Sequence, residues 1–416
     1  GSQHTLIFDE SYYVNAARAI DRIEPPPGPF YHGVPLGEDP NAEHPQLAKL
    51  IIAGGIELFG DEPRGWRLPS VLFGLIALLA LYTLVRAAGG GPWLAVGASG
   101  VMALDNLALV HGRIATLDIY ALALMLIAAT LYLRERPLLA GIALGVGFCM
   151  KEVALYLLFV MVLLELQRLA RARLARGERG DSPGGAARAY ARARGVVFSW
   201  DEDLAAALRR FGIFVLATCV SLVGLLWLRD TLVPAYDTYS RTTYAGDPFG
   251  HIGHILDYAT RLTTRPDATG ISSTPWQWLL NEVPIGYARV AVNSVSGGKV
   301  VASRAIVDFQ GAINPFIVFL AIPVTFAALG AAWKERGEVA ALGACWCLGT
   351  FLPFALESAL GERITYIYYM LVVLPGLYIL LAWFFSRPWM PRAALIGWVA
   401  ALIYGFLDLY PLRTLL

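Results

Sequence analysis

Apolar residues run through this chain in blocks close to 20 long, broken by short polar turns. A helix needs about 20 consecutive apolar residues to cross a bilayer. The pattern predicts ten spans, near 68–86, 92–109, 117–133, 137–150, 152–167, 211–229, 312–333, 339–357, 364–385 and 393–410. The spans 137–150 and 152–167 are short, and only Lys151 and Glu152 separate them.

Between spans, arginine sets the orientation, because basic residues collect in cytoplasmic loops. Residues 168–210 form an Arg-rich loop and mark the cytoplasmic side. Alternation then puts the turns at Arg86, Arg134/Arg136, Lys334/Arg336 and Arg387/Arg392 on that side too. The opposite side receives a first loop, 1–66, the turn 105–118, the turn at Lys151, a large loop, 230–311, and the turn 360–366. All the histidines fall there. The chain starts Gly-Ser, with no cleavable signal peptide visible. Ten spans with an extracytoplasmic first loop predict one more span upstream, outside this sequence.

The outer loops carry local patterns. Residues 43–60 have Pro45 where a helix would start and apolar residues at Leu47, Leu50, Ile51 and Leu58, so they predict a helix lying in the interface. Residues 250–263 repeat that amphipathic pattern. Residues 287–309 alternate as strands, and "SVSGGKV" (294–300) between them is a candidate hairpin turn. Residues 177–195, rich in Gly, Arg and Ala, predict a mobile cytoplasmic loop, and no internal repeat is visible. The whole chain, 1–416, reads as a single all-α polytopic membrane domain.

Composition agrees: 57% of residues are hydrophobic and 16% charged, against about 25% charged in soluble domains. Net charge +1 and the lack of a basic groove interleaved with aromatics give no sign of nucleic-acid binding. Cys149, Cys219, Cys345 and Cys347 all lie in apolar runs, which argues against a disulfide framework or a Cys345–Cys347 metal site.

Polar residues at membrane depth are costly, so each needs a reason. One rim collects Asp9, Glu10, His44, Lys49, Asp105, Arg113, Asp118, Lys151, Glu152 and Arg363. Carboxylates and cations at a lipid boundary suit transfer from a lipid-linked sugar phosphate. Lys and Arg can hold the phosphate as the sugar–oxygen bond breaks, and a carboxylate can take the proton of an acceptor hydroxyl. One base and in-line attack predict inversion at the sugar carbon.

Simpler readings stand beside these. Asp9 could cap the helix starting near Ser11. Lys49 could snorkel, Arg113 could pair with Asp105 or Asp118, and Arg363 could be an ordinary helix-start charge. Trp276 and Trp278 could be interface anchors. His251, His254 and Asp257 have a spacing that could hold zinc but lack a further strong ligand, so no metal site is assigned.

The ordered motifs resemble the protein O-mannosyltransferase family, dolichyl- or polyprenyl-phosphate-mannose-dependent enzymes of the GT-C class of membrane glycosyltransferases. They are "FDESYYVNAAR" (8–18), "NAEHPQLAKLIIAGGIELFGDEPRGWRLPSVLFG" (41–74), "ALDNLALVHGRIATLDIYALAL" (103–124), "GIALGVGFCMKEVALY" (141–156), "SSTPWQWLLNEVPIGY" (272–287), "GAINPFIVF" (311–319) and "ERITYIYYMLVVLPG" (362–376). The family has eleven spans and an Asp-Glu pair in its first outer loop. The resemblance implies that Asp9 is the catalytic carboxylate and that Glu10 supports it or the acceptor backbone. It implies that Lys49, Arg113, Lys151 and Arg363 line the donor phosphate and sugar pocket, and that His44, Asp118, Trp276 and Trp278 shape it. The chain departs from the family at Gln46, where a second proline is usual, and at Glu152, where an aromatic is common. Loop 230–311 is too short for the lumenal β-trefoil of eukaryotic members, which points to a prokaryotic relative.

The resulting expectation is a GT-C-like enzyme that moves mannose or a related hexose from a polyprenyl-phosphate donor to Ser/Thr hydroxyls of proteins. The site would lie on the extracytoplasmic side of a prokaryotic plasma membrane. No cofactor is required, a divalent metal is left open, and the oligomeric state is unassigned. The alternatives are a GT-C transferase acting on a lipid or polysaccharide, like the aminoarabinose transferases, and, more distantly, a lipid or sugar transporter or flippase.

Overall fold

Prolines punctuate the chain at helix starts, where their missing N–H costs no hydrogen bond. The computed structural model describes residues 6–178, 202–261, 270–296, 299–334, 338–361 and 363–412. Helices α1 (Glu10–Ile20), α2 (Leu47–Phe59) and α3 (Pro63–Ala87) are followed by α4 (Pro92–Ala103), α5 (Asn106–His111), α6 (Asp118–Leu133), α7 (Pro137–Met150), α8 (Tyr156–Glu178) and α9 (Glu202–Leu232). A short ribbon of β1 (Ala235–Asp237) and β2 (Thr242–Tyr244) precedes α10 (Pro248–Arg261) and α11 (Pro275–Trp278). Strands β3 (Ile285–Ser296) and β4 (Lys299–Gly311) come next, then α12 (Pro315–Val318), α13 (Ala321–Lys334), α14 (Val339–Leu360), α15 (Leu374–Phe385) and α16 (Arg392–Asp408).

Five stretches are long and apolar enough to cross a membrane: Pro63–Ala87, Glu152–Arg173, Asp203–Leu232, Pro315–Lys334 and Val339–Leu360. Pro92–Ala103, Asp118–Leu133, Pro137–Met150 and Leu374–Phe385 are apolar but shorter. Helix α6 is buried along nearly its whole length and forms the centre of the bundle. Helices α7 and α9 cross at Gly141 and Gly145, where any side chain would collide with the α9 backbone at Phe214 and the Ser221 hydroxyl. Small residues let helices approach this closely where lipid supplies no hydrophobic drive.

Several predicted spans are interrupted. The block 92–109 breaks after Leu104 because Asp105 caps α5, accepting from the Ala108 N–H at 3.3 Å. The same buried carboxylate accepts from the Asn314 N–H and the Tyr378 hydroxyl, each at 2.8 Å. Block 364–385 begins as extended chain and a 3₁₀ turn, Ile367–Val372, before α15. The interfacial helix starts at Leu47, with Gln46 and not Pro45 at its cap, and the second amphipathic helix runs Pro248–Arg261. The predicted mobile loop 177–195 lies mostly outside the described residues.

Charged residues gather at two ends. At one, Arg168 pairs with Glu338 (2.6 Å) and Glu165 (2.9 Å), and Arg210 with Glu165 (2.7 Å) and Glu135 (3.0 Å). The Glu338 N–H also meets the Ala88 carbonyl. These contacts join turns that arginine content placed together. At the other end, isolated bridges Asp39–Ala235 and Asn41–Asp237 tie the first loop to the ribbon β1–β2. The hairpin β3–β4 is antiparallel, with bulges between Gly286 and Ala288, Val290 and Ala291, and Ser294 and Val295. Its tip is exposed and its base is buried.

Candidate active site

The site begins at a turn that separates two adjacent carboxylates. Neighbouring helical residues diverge by about 100°, and Asp9 and Glu10 use that divergence. Glu10 is fully buried. Arg67 donates from Nε to Oε1 at 2.8 Å and from Nη2 to Oε2 at 2.7 Å. The Ile7 N–H donates to Oε2 at 2.7 Å and the Ala115 N–H to Oε1 at 2.9 Å. With both oxygens engaged, Glu10 joins α1, α3 and the loop before α6.

Asp9 occupies the position before α1 in helical conformation (φ −68°, ψ −4°), and its side chain accepts no capping hydrogen bond. A cap residue normally takes extended backbone; here the chain reverses one residue earlier, at Phe8, with φ +54°. No ion pair or hydrogen bond engages the Asp9 carboxylate among the described residues. Burial pushes its carboxyl up to about 7, with Asp118 adding to the rise and Lys151 and His44 opposing it.

Lys151 closes α7 in extended conformation (φ −162°, ψ 137°). Its buried ammonium donates to Asp118 Oδ1 at 2.8 Å and lies 5.6 Å from the Tyr368 ring centre. One ammonium carries three donors, so a single carboxylate leaves capacity for an anion. His44 Nδ1 lies 2.9 Å from Glu152 Oε2. Asp9, His44, Asp118 and Lys151 thus converge from α1, the loop before α2, α6 and α7.

The remaining expected residues divide. Lys49 is fully buried, and its ammonium meets Asp39 Oδ2 (2.5 Å), the Asn41 carbonyl (2.6 Å), Asn41 Oδ1 (3.2 Å) and the His44 carbonyl (2.9 Å). Its donors are consumed in shaping loop 39–44, so it neither snorkels nor has a proton free for phosphate. Arg113 is half-buried, and its guanidinium has no partner among the described residues. It pairs with neither Asp105 nor Asp118, whose partners lie elsewhere. Arg363 Nη1 pairs with Glu357 Oε2 at 2.8 Å, while its buried Nε has no partner among the described residues. Tyr369 lies within electrostatic reach of both Arg363 and Lys151.

Trp278 is fully buried, donating from Nε1 to Ser273 Oγ at 3.0 Å and packing edge-on against Phe354 and Tyr369. Trp276 is 55% exposed, with one ring contact to Phe351. The two tryptophans therefore differ: one anchors the core beneath Tyr369 and the other faces outward. His251 pairs with Asp230 (2.9 Å) and His254 faces Asp237 (3.8 Å), so the two histidines serve different acids.

Sequence reasoning missed an aromatic group beside Asp9. Phe8 stacks on Tyr287 (centroids 4.2 Å apart, planes at 21°) and meets Tyr368 edge-on at 5.5 Å. His111 stacks on Tyr368 at 5.8 Å, and its Nε2 lies 2.9 Å from the Tyr287 hydroxyl. Burial pushes His111 down to about 4, so its ring is neutral at pH 7. Tyr13, Tyr287 and Tyr368 all lie within electrostatic reach of Asp9. The available signal was that His111 and Tyr368 fall inside the quoted motifs.

Residues 43–176 match the family model described as dolichyl-phosphate-mannose-protein mannosyltransferase. That segment holds His44, Lys49, Arg113, Asp118 and Lys151. The polyprenol-phosphate-mannose–protein mannosyltransferase of Corynebacterium glutamicum is 32% identical over 133 residues, 32% of this chain and 25% of that protein. The protein of the same name from Mycolicibacterium smegmatis is 29% identical over 119 residues, 28% of this chain and 21% of that protein. The matches thus span a quarter or less of these relatives' length. In fold, 99% of the chain superposes on 87% of a chain of the S. cerevisiae protein O-mannosyltransferase Pmt1-Pmt2 complex bound to the sugar donor, with TM-score 0.64 and 11% identity. ArnT from Cupriavidus metallidurans bound to undecaprenyl phosphate gives TM-score 0.59 and 16% identity, over 96% of this chain and 59% of that one. The chain has the GT-C fold and is an integral membrane protein.

Proposed function

We propose that this chain transfers mannose, or a related hexose, from a polyprenyl-phosphate donor to Ser/Thr hydroxyls of proteins, on the extracytoplasmic side of a prokaryotic plasma membrane. The observation that carries this is the Asp9 carboxylate, which has no partner among the described residues and lies within electrostatic reach of the Lys151–Asp118 pair. An unengaged carboxylate whose proton affinity lies near pH 7 suits a general base. The acceptor oxygen attacks the anomeric carbon as its proton passes to an Asp9 oxygen. The bond from that carbon to the phosphate oxygen breaks, and polyprenyl phosphate leaves with the electron pair.

Lys151 is the residue best placed to stabilise the leaving phosphate, because a preorganised cation in a dry site offsets developing charge strongly. Arg113 and Arg363 Nε are the further donors available to it. Asp118 holds Lys151, His44 borders the pocket, and Glu10 fixes the turn that carries Asp9. Lys49 acts one step removed, by holding loop 39–44. One base and in-line displacement give inversion. The likeness of residues 43–176 to the mannosyltransferase model supports this donor and acceptor class over a lipid or polysaccharide acceptor.

The test is transfer in nanodiscs from polyprenyl-phosphate-mannose to Ser/Thr peptides, read by mass spectrometry. Wild type forms mannosylated peptide, and Asp9→Asn folds but forms none. Near-normal turnover by Asp9→Asn would sink the base assignment. Transfer only to lipid or polysaccharide acceptors would sink the acceptor class.

A further inference from the structure

Phe8 is a bulky residue in left-handed backbone (φ +54°). Such a conformation persists only where the surroundings over-determine it. Two sets of contacts do so. Below the turn, Glu10 receives the Ile7 N–H, the Ala115 N–H and both nitrogens of the Arg67 fork. Above it, the Phe8 ring lies flat on Tyr287 and edge-on to Tyr368. Tyr287 belongs to β3, and its hydroxyl is fixed at 2.9 Å from His111 Nε2. Gly311, at the end of β4, leaves room for that hydroxyl; a Cβ there would collide with it.

We infer that the Phe8–Tyr287 stack is a positioning device for the base: hairpin β3–β4 clamps the reversed turn so that Asp9 faces the reaction centre instead of capping α1. This rests on the assignment of Asp9 as base. The geometry gives the reason. If Phe8 relaxed to ordinary backbone, the Glu10 and Ser11 N–H groups would lose the Ile7 and Phe8 carbonyls they now meet at 3.1 and 3.2 Å, and Asp9 could turn its carboxylate back onto them, as cap residues do. Asp9 is half-buried, so a freed turn can carry its carboxylate further into water. The charged and titratable groups facing it are Lys151, Asp118, His44, Tyr12, Tyr13, Tyr287 and Tyr368. None of them is removed when the Phe8 ring is replaced by another side chain. Phe8 and Tyr287 are therefore positioning residues, and their effect runs through the orientation and hydration of one carboxylate.

The experiment compares Phe8→Leu, Phe8→Tyr, Tyr287→Ala and Asp9→Asn in nanodiscs, measuring the pH profile of kcat for mannosyl transfer and thermal unfolding of each. Phe8→Leu keeps apolar volume but loses the flat stack. Its kcat should fall about 100-fold, the scale of a 1 Å misplacement, and the acid limb of its profile should move to lower pH as water reaches Asp9. Tyr287→Ala should do the same, and Phe8→Tyr, which keeps the ring, should retain wild-type rate and profile. A wild-type acid limb in Phe8→Leu, with or without a lower rate, overturns the clamp. If Tyr287→Ala does not fold, the Phe8 pair decides alone. Turnover by Asp9→Asn would refute the base itself, a result distinct from an Asp9→Asn that is inactive while Phe8→Leu behaves as wild type.

Discussion

Lys151 and Asp118 form a buried pair, Nζ to Oδ1 at 2.8 Å, that joins the end of α7 to the first residue of α6. Both side chains are almost wholly removed from solvent. Breaking a buried pair strands its partner's charge at a cost of about 3–5 kcal/mol. The pair is therefore structural, and the proposed function gives its lysine a second role at the leaving phosphate. Lys151→Met with Asp118 retained should lose transfer and lower the unfolding temperature. The double replacement Lys151→Met/Asp118→Leu should regain much of the stability and none of the activity. Thermal unfolding measured beside turnover separates the two roles; activity in the double variant would remove Lys151 from phosphate stabilisation.

Glu10 and Asp9 should respond oppositely to amide substitution. Glu10→Gln keeps shape but weakens a charge-assisted fork to Arg67 and turns a donor toward backbone N–H groups. A loss of about 3 kcal/mol follows from disrupting a buried charged pair, with donor KM little changed in whatever fraction stays folded. Chemical or thermal denaturation in detergent checks this.

The pH dependence follows from Asp9. Burial raises its folded pKa to about 7 from 3.8. The folded chain therefore holds a proton that the unfolded chain has released between about pH 4 and 7. This group's contribution to stability is full below about pH 4, declines as pH rises to 7, and is flat above. Asp9→Asn should thus be more stable than wild type at pH 8, by about 1–2 kcal/mol after solvent screening, and no more stable at pH 4. Activity runs the other way, since the base must be ionised: kcat/KM should fall about tenfold per pH unit below 7. Unfolding of the two proteins at pH 4 and 8 tests the first statement, and a wild-type rate profile the second.

Lys49 should behave as a loop anchor. Lys49→Met leaves buried Asp39 without its cation, so unfolding temperature and protease resistance of loop 39–44 should fall well before donor affinity does. The double replacement Asp39→Asn/Lys49→Met should recover stability in part. A large rise in donor KM with an unchanged unfolding temperature would return Lys49 to the phosphate pocket.

Much of this architecture lies in local pattern. Apolar blocks the length of a bilayer, prolines at their starts and arginines between them are properties of adjacent residues, and the hydrophobic effect acts on them directly. The same holds for the hairpin, whose alternating strand pattern announces it. The motif residues Asp9, His44, Asp118 and Lys151 could be gathered into one group because topology puts every other turn on one side.

Other features are decided only by partners far along the chain. Asp9 and Glu10 are equivalent in sequence, and Arg67 and the Ala115 N–H make one a strut while the other has no partner among the described residues. Lys49 looks like an exposed cation until Asp39 and Asn41 fold over it. Trp276 and Trp278, two residues apart, part company because Phe354 and Tyr369 bury the second. The reversal at Phe8 depends on Tyr287, a residue of the distant hairpin. A charge or a ring takes its role from desolvation and from the groups that satisfy it, and those are set by contacts that tertiary folding alone creates.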